Sequence, residues 1–464
     1  MYGMKGTLVS LLLLYVGPSI AFRNPYPKTK ALYKSGLKGS SEKVGKPLYL
    51  SPYIESRRIA EGQAAALVPP ILDNITSYAG FLTVNKQFNS NLFFWYFPAE
   101  ESPLTAPVAV WLQGGPGASS MYGLFTENGP YIVKHNGKVE RRPHPWSRKL
   151  NMIFLDQPVG TGFSFTRDEA GYANSVADAG RDVYNALLQF FQLFPKIAKN
   201  DFIITGESYG GKWIPAVGYT IHQGNKKNGH KINLKGMAIG NGWVDPYNML
   251  DYSTLYYDLY FIDLKTKRKF AQIEERIKSL MERKNYKAAL ALKGEYFDDD
   301  ASLVPNVTGV SYLYNFLNPQ KVSDDAYIEY LNQPTIRKNI HVGKLPYNDE
   351  SDVVAKHMEL DDVISIVPWL EELMDHYKVL LYSGQLDIIC AYPLMMNYVR
   401  KLKWKGADSY KKAERKQWHV GNELAGYSKT AGNFTELLVL AAGHMVPRNQ
   451  PVWALDMITN FAFN

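Results

Sequence analysis

The chain has 464 residues, 46% hydrophobic and 21% charged, an ordinary globular composition with room for one large domain carrying an insertion, or for two domains. Lys+Arg 52 against Asp+Glu 44 give a net charge of +8, but the basic runs Lys265–Lys269, Arg400–Lys403 and Lys411–Lys412 are scattered and interrupted, so they read as solvated faces rather than a nucleic-acid groove. No zinc-finger spacing, P-loop or dinucleotide glycine pattern occurs, and a single cysteine, Cys390, excludes an internal disulfide.

In chain order, Met1–Ala21 carries Lys5, an apolar run Leu8–Val16 and the small-residue site Ser19-Ile-Ala21, the pattern of a secretory signal peptide cleaved after Ala21. No second stretch reaches the roughly 18 apolar residues of a membrane span. Three acceptor sequons, at Asn74, Asn306 and Asn433, fit a secretory route. Residues 22–60 are polar and irregular and read as a flexible leader or removable pro-segment, leaving 61–464 as the folded domain. Ser77–Val84 and Leu92–Phe97 predict an antiparallel hairpin. Val108–Leu112, Met152–Leu155, Phe202–Thr205, Met237–Ile239, Val379–Tyr382 and Leu437–Leu440 are short apolar runs without alternation, as in strands covered on both faces. Ala177–Phe194 repeats its apolar residues at helical spacing and is closed by Pro195. Strands alternating with helices predict an α/β sandwich around a mostly parallel sheet. Residues 245–367 lose the strand beat, hold helical stretches at Lys267–Met281 and Asp325–Leu331, and predict a helical cap inserted between two strands, over the strand ends.

The chemistry centres on Gly206-Glu-Ser-Tyr-Gly210, which follows a predicted strand and precedes a helical pattern. Glycines flanking Ser208 allow the sharp strand-to-helix turn that exposes a nucleophilic hydroxyl. Pro215 conflicts with that helix unless it lies near the first turn. A serine needs a base, and the base needs a carboxylate to orient it. In the chain order Ser, Asp, His, the loop residues just past late strands are Asp387 and His444; of nine histidines only His444 has that placement. The glycine-rich turn after Val108–Leu112 supplies an oxyanion hole, with the Gly115 and Tyr209 amides as donors. Two further carboxyls, Glu127 and Glu207, must share a proton if they meet, and a protonated Glu can donate to a substrate carboxylate.

Trp111-Leu-Gln-Gly-Gly-Pro-Gly-Ala-Ser-Ser120, Phe154-Leu-Asp-Gln-Pro-Val-Gly-Thr-Gly-Phe-Ser164, Gly206-Glu-Ser-Tyr-Gly-Gly211, Ile239-Gly-Asn-Gly242 and Gly443-His-Met445 resemble, in content and order, the serine carboxypeptidase family, from about Ser77 to the C-terminus. Pro47–Ile54 and Ala118 look most like its vitellogenic and vitellogenic-like members. The resemblance implies an α/β-hydrolase fold with a helical cap, removal of C-terminal residues from peptides and proteins at acidic pH, and no metal or organic cofactor. It implies Ser208, Asp387 and His444 as triad, Gly115 and Tyr209 as oxyanion donors, and Trp111, Gln113, the Gly114 N–H, Glu127 and Glu207 as the site for the substrate carboxylate. Ile389 and Cys390 fall on the pocket for the residue before the scissile bond; Tyr122, Thr126 and Met445 fall on that for the released residue. Gln113 stands where the family usually has Asn, and Ala118 where most members have a disulfide cysteine; lone Cys390 is either a buried core thiol or a reactive one, and reads rather as a pocket thiol open to mercurials. The rivals are a same-fold acyltransferase or esterase and a catalytically idle storage or venom protein. Destination (lysosome-like or extracellular) and oligomeric state stay open.

Overall fold

A computed structural model describes residues 44–227, 229–298, 302–310, 312–317 and 325–464. The signal peptide expected at Met1–Ala21 lies outside the described residues.

The centre is an 11-stranded sheet. In chain order its strands are β1 (Leu67–Val68), β2 (Ser77–Asn85), β3 (Ser90–Phe97), β4 (Val108–Leu112), β5 (Asn151–Leu155), β6 (Phe202–Glu207), β7 (Leu234–Gly240), β8 (Lys378–Gly384), β9 (Lys416–Val420), β10 (Glu423–Ala431) and β11 (Phe434–Val439). Their spatial order is β1-β2-β3-β5-β4-β6-β7-β8-β11-β10-β9. The six interior strands from β5 to β11 pair in parallel, and antiparallel strands finish both sides. Every residue of β3, β4, β5 and β6 is buried, which is why their sequences are apolar runs rather than alternations. The β2–β3 hairpin forms as expected, with Phe81 opposite Phe93 and Gly80 opposite Phe94.

Helix α1 (Val176–Leu193) begins where Ser175 Oγ accepts the Asp178 N–H, and it covers the β2–β3 face. Phe190 meets the rings of Phe94 and Tyr96 edge-on, with centroids 5.5 and 5.2 Å away. Helix α2 (Gly210–Asn225) contains Pro215 at its sixth position, beyond the first turn that the sequence reading allowed. Proline there lacks the N–H that would bond the Gly211 carbonyl. The helix continues because it is clamped against β6 and β7: of its residues up to His222 all but Tyr219 and Thr220 are buried.

Two boundaries differ from the sequence reading. Residues 44–60, assigned to the leader, are packed: Leu50 is fully buried, its N–H donates to Phe81 O at 2.9 Å, and Phe81 N–H returns to Leu48 O at 2.9 Å. Short helices Ser51–Glu55 and Ile59–Ala66 follow. Basic and small residues around Leu48, Leu50 and Ile54 hid that apolar set. At the far edge, the β9–β10 hairpin was missed. Its outer strand, Lys416–Val420, is exposed or half-exposed throughout and carries Lys416 and His419 outward, as befits an edge that must not recruit other chains.

β7 and β8 are neighbours in the sheet, Met237 opposite Val379, although 137 residues separate Gly240 and Lys378 in sequence. Among the described residues the intervening segment holds helices and no named strand, the longest helix being α3 (Leu264–Glu282). Its residues 312–317 reach the loops after β8 and β11: Ile388 N–H donates to Leu313 O (2.9 Å), Phe316 N–H to Leu386 O (3.1 Å) and His444 N–H to Tyr314 O (2.7 Å).

Candidate functional site

Ser208 sits between β6 and α2 with φ +61°, a left-handed conformation uncommon for a side-chain-bearing residue. Its N–H donates to Gly240 O at 3.0 Å, and its carbonyl accepts from Trp243 N (2.8 Å) and Gly211 N (2.9 Å). The strain is held by these bonds and by close approach: a Cβ on Gly206 would lie 2.2 Å from Leu112 O. Only glycine fits there, which is the physical content of the Gly-x-Ser-x-Gly spacing.

Asp387 and His444, 57 residues apart, meet in a fully buried hydrogen bond: His444 Nδ1 lies 2.8 Å from Asp387 Oδ2. The carboxylate also accepts from Asn241 Nδ2 (2.7 Å), Ile389 N (3.0 Å) and Cys390 N (3.3 Å). With one imidazole nitrogen occupied by Asp387, Nε2 is the nitrogen left for a serine proton; it is buried and meets no hydrogen-bond partner among the described residues. Asn241 ties this pair to the elbow. Its neighbour Gly240 accepts the Ser208 N–H, while its own amide holds Asp387 and its Oδ1 accepts from Gly384 N at 3.2 Å. The role of Asn241 is not legible in Ile239–Gly242 itself; an amide just past the end of a buried strand is the one signal there.

The turn after β4 lies against the elbow. A Cβ on Gly114 would come 2.7 Å from both Ser208 Cβ and Tyr209 N. Gly115 has φ +111°, and among the described residues neither the Gly115 nor the Tyr209 N–H has a backbone acceptor. The turn is anchored from below by Asp156, which the sequence reading left without a role. Asp156 Oδ1 accepts from Ser119 Oγ (2.6 Å) and Ser120 N (3.0 Å), and Oδ2 accepts from Phe163 N (2.9 Å). Burial pushes this carboxyl up to about 7. Ala118 is flanked by backbone bonds to residues 349–351: Ser119 N–H to Asp349 O (2.9 Å) and Ser351 N–H to Gly117 O (3.0 Å).

Glu127 and Glu207 are both buried and are joined through one amide. Gln113 Nε2 donates to Glu207 Oε1 at 2.9 Å and to Glu127 Oε1 at 3.1 Å, while Trp111 Nε1 donates to Gln113 Oε1 at 2.6 Å. The Trp111 bond fixes which end of the amide faces the carboxyls. The longer side chain of Gln in place of Asn is thus accommodated, and both contacts are made. Burial raises the proton affinity of both groups, and repulsion from Glu127 lifts Glu207 well above the usual carboxylate range; hydrogen bonds from Glu207 and Gln113 hold Glu127 lower. Both shifts favour the pair holding on to a proton that an isolated carboxylate would lose.

Of the remaining sequence-predicted residues, Tyr122 and Met445 are buried beside the turn, and Thr126 Oγ1 donates to Tyr122 O at 2.8 Å. Ile389 and Cys390 are buried beside Asp387. Burial and the neighbouring Asp387 charge push the Cys390 thiol well above its ordinary value, so it stays protonated, contrary to the reactive-thiol expectation. Asn74, Asn306 and Asn433 are all exposed. Among the described residues no helix is long and apolar enough to cross a membrane.

Comparison with known proteins identifies the family. The family model described as serine carboxypeptidase matches residues 69–464. The chain is 49% identical to the venom serine carboxypeptidase of Apis mellifera over 468 residues, covering 99% of both. It is 44% identical to the probable serine carboxypeptidase CPVL of Homo sapiens, over 99% of this chain and 97% of that one. It is also 44% identical to the vitellogenic carboxypeptidase of Aedes aegypti, over 92% and 93%. The crystal structure of Kex1(delta)p, a prohormone-processing carboxypeptidase from Saccharomyces cerevisiae, superimposes with a TM-score of 0.75 at 23% identity, covering 86% of this chain and 96% of that one, a likeness of fold. A mostly parallel sheet with a serine at its strand-to-helix elbow, a buried Asp–His pair after later strands and relatives of this identity lead to one conclusion: the chain belongs to the serine carboxypeptidase family and is a serine-type carboxypeptidase.

Proposed function

We propose that this carboxypeptidase removes single residues from free C-termini at acidic pH, with Ser208, His444 and Asp387 as its triad. His444 Nε2 takes the Ser208 proton as Oγ attacks the scissile carbonyl. The oxyanion forms against the Gly115 and Tyr209 amides, and Asp387 stabilises the imidazolium. The imidazolium then protonates the departing amine, the C–N bond breaks, and water, activated by the same histidine, hydrolyses the acyl-serine.

The observation that carries the reading is the buried Glu127–Gln113–Glu207 cluster, whose last member directly precedes the nucleophile. An esterase or acyltransferase has no use for a proton held there. A peptidase that must accept a terminal carboxylate does, because a protonated Glu donates to the anion that an ionised one repels. Trp111 and the Gly114 N–H complete that anion site; Tyr122, Thr126 and Met445 surround the released residue, and Ile389 and Cys390 flank the residue before the bond. The leader pattern at Met1–Ala21 and three exposed sequons favour residence in the secretory pathway. Peptides identical but for a C-terminal amide are the test. Release of the terminal amino acid at pH 5 only from the free acid is expected; equal cleavage of the amide refutes exopeptidase action.

A further inference from the structure

The helical turn after His444 brings Arg448 to the residues proposed for the released amino acid. Its Nη1 donates to Tyr122 Oη at 3.3 Å, and its charge acts on Glu127. With Phe125, Thr126, His135, Arg142 and Tyr327 it lines a cavity of about 100 Å3. That volume suits a short side chain, and among the described residues its lining holds three basic residues and no carboxylate. Arg142 is bound to the carbonyls of Gly129 (2.8 Å) and Phe125 (2.7 Å), so its charge is fixed in the wall, while His135 stands exposed at the mouth. The floor is apolar and aromatic, with Phe125 and Tyr327 stacked at 5.7 Å, which lowers the local dielectric and lengthens the reach of each charge.

We infer that Arg448 makes this enzyme select substrates whose C-terminal residue is acidic, with the side-chain carboxylate of a terminal Glu or Asp entering the cavity beside Thr126. The inference rests on the exopeptidase reading above. It needs only the guanidinium charge, whichever of its five N–H groups are otherwise engaged. A neutral isostere loses that attraction while keeping shape and hydrogen-bonding capacity, so Glu against Gln isolates the charge.

The experiment measures kcat/KM at pH 5.5 for N-blocked dipeptides with one penultimate residue and Glu, Gln, Leu or Lys at the C-terminus. The native enzyme is expected to prefer Glu over Gln by roughly tenfold. Arg448→Gln should bring that ratio near one, Arg448→Lys should keep most of it, and Arg448→Glu should favour Lys. Each ratio is taken within one variant, so a partly misfolded preparation does not distort it. Equal rates for Glu and Gln in the native enzyme, or a Glu preference that survives Arg448→Gln, overturn the assignment while leaving the exopeptidase reading intact. Release from none of the four, Leu included, overturns both.

Discussion

Replacing Glu207 by Gln tests the proton held beside the nucleophile. In the native pair the second ionisation puts a negative charge on Glu207 within reach of the incoming substrate carboxylate. Two unit charges about 4 Å apart at an effective dielectric near 20 repel by ~4 kcal/mol, worth about three decades in KM. The sign follows from the raised proton affinity of Glu207. Below its folded pKa the proton is present and KM is low; above it KM climbs, about tenfold per pH unit, toward that limit. Glutamine keeps a donor at the same place and cannot ionise, so Glu207→Gln should raise KM at pH 5 by no more than about tenfold, the scale of one charge-assisted bond exchanged for a neutral one. It should also remove the climb at higher pH, since the cluster can then carry only the single charge of Glu127. KM against pH from 4.5 to 8 with a blocked dipeptide, by coupled amino-acid detection, gives the profile. A variant curve parallel to the native one across that range refutes proton sharing as the basis of carboxylate recognition.

Ser208→Ala should reduce kcat by at least ~10⁴-fold while leaving the unfolding midpoint within a few degrees, because the left-handed backbone is held by the bonds to Gly240, Trp243 and Gly211 rather than by the hydroxyl; retained turnover would point to another nucleophile. Gly114→Ala forces a methyl to within 2.7 Å of Ser208 Cβ and the Tyr209 amide, and should lower kcat by ~10²–10³-fold with KM less affected; unchanged kcat would detach this turn from the oxyanion. Burial lifts the folded-state pKa of Asp156 to about 7, Glu274 to about 7 and Asp349 to about 6. The unfolded chain loses these protons first, near pH 4, so the folded state binds more protons between about pH 4 and 7 and stability falls as pH rises through that window. The combined effect is on the order of several kcal/mol, so the unfolding midpoint should drop roughly 5–10 °C from pH 5 to pH 8, less in Asp156→Asn; a midpoint that rises over this interval contradicts it.

The parallel interior of the sheet was legible because two-sided burial leaves an unmistakable record: β4 is Val-Ala-Val-Trp-Leu, and its bounds match the apolar run. The β9–β10 edge was not, because an exposed strand is bound to its neighbour by backbone groups that any residue carries; nothing in Lys416–Val420 distinguishes it from a loop. Val44–Ile54 failed for a related reason, since its docking rests on backbone bonds to Phe81 and His341, on Ser51 and on the isolated apolar side chains Val44, Leu50 and Ile54, too irregular a set to show periodicity.

The site divides in the same way. A nucleophile elbow is written in contiguous residues because the turn itself demands glycine where Leu112 O and Trp243 N crowd the chain. Asp387 and His444 are placed by strand counting. What sequence does not carry is the environment that sets a proton's affinity. Glu127 and Glu207 lie 80 positions apart, and their coupling depends on the length of Gln113 and on Trp111 turning its amide. Asn241 holds Asp387 from a third strand, and Asp156 holds the turn after β4 from a fourth. Each is an ordinary polar residue in an apolar stretch, and each is satisfied only by partners remote in sequence. That is the reason they are informative: a buried amide or carboxyl costs several kcal/mol unless bonded, so its presence at a strand end already signals a partner, although not which one. Arg448 follows the same logic in reverse. A cation one turn past His444, in a segment that is otherwise apolar (Met445-Val-Pro447), stands half-buried beside the Tyr122 hydroxyl with its charge acting on Glu127, a placement that suits an incoming anion.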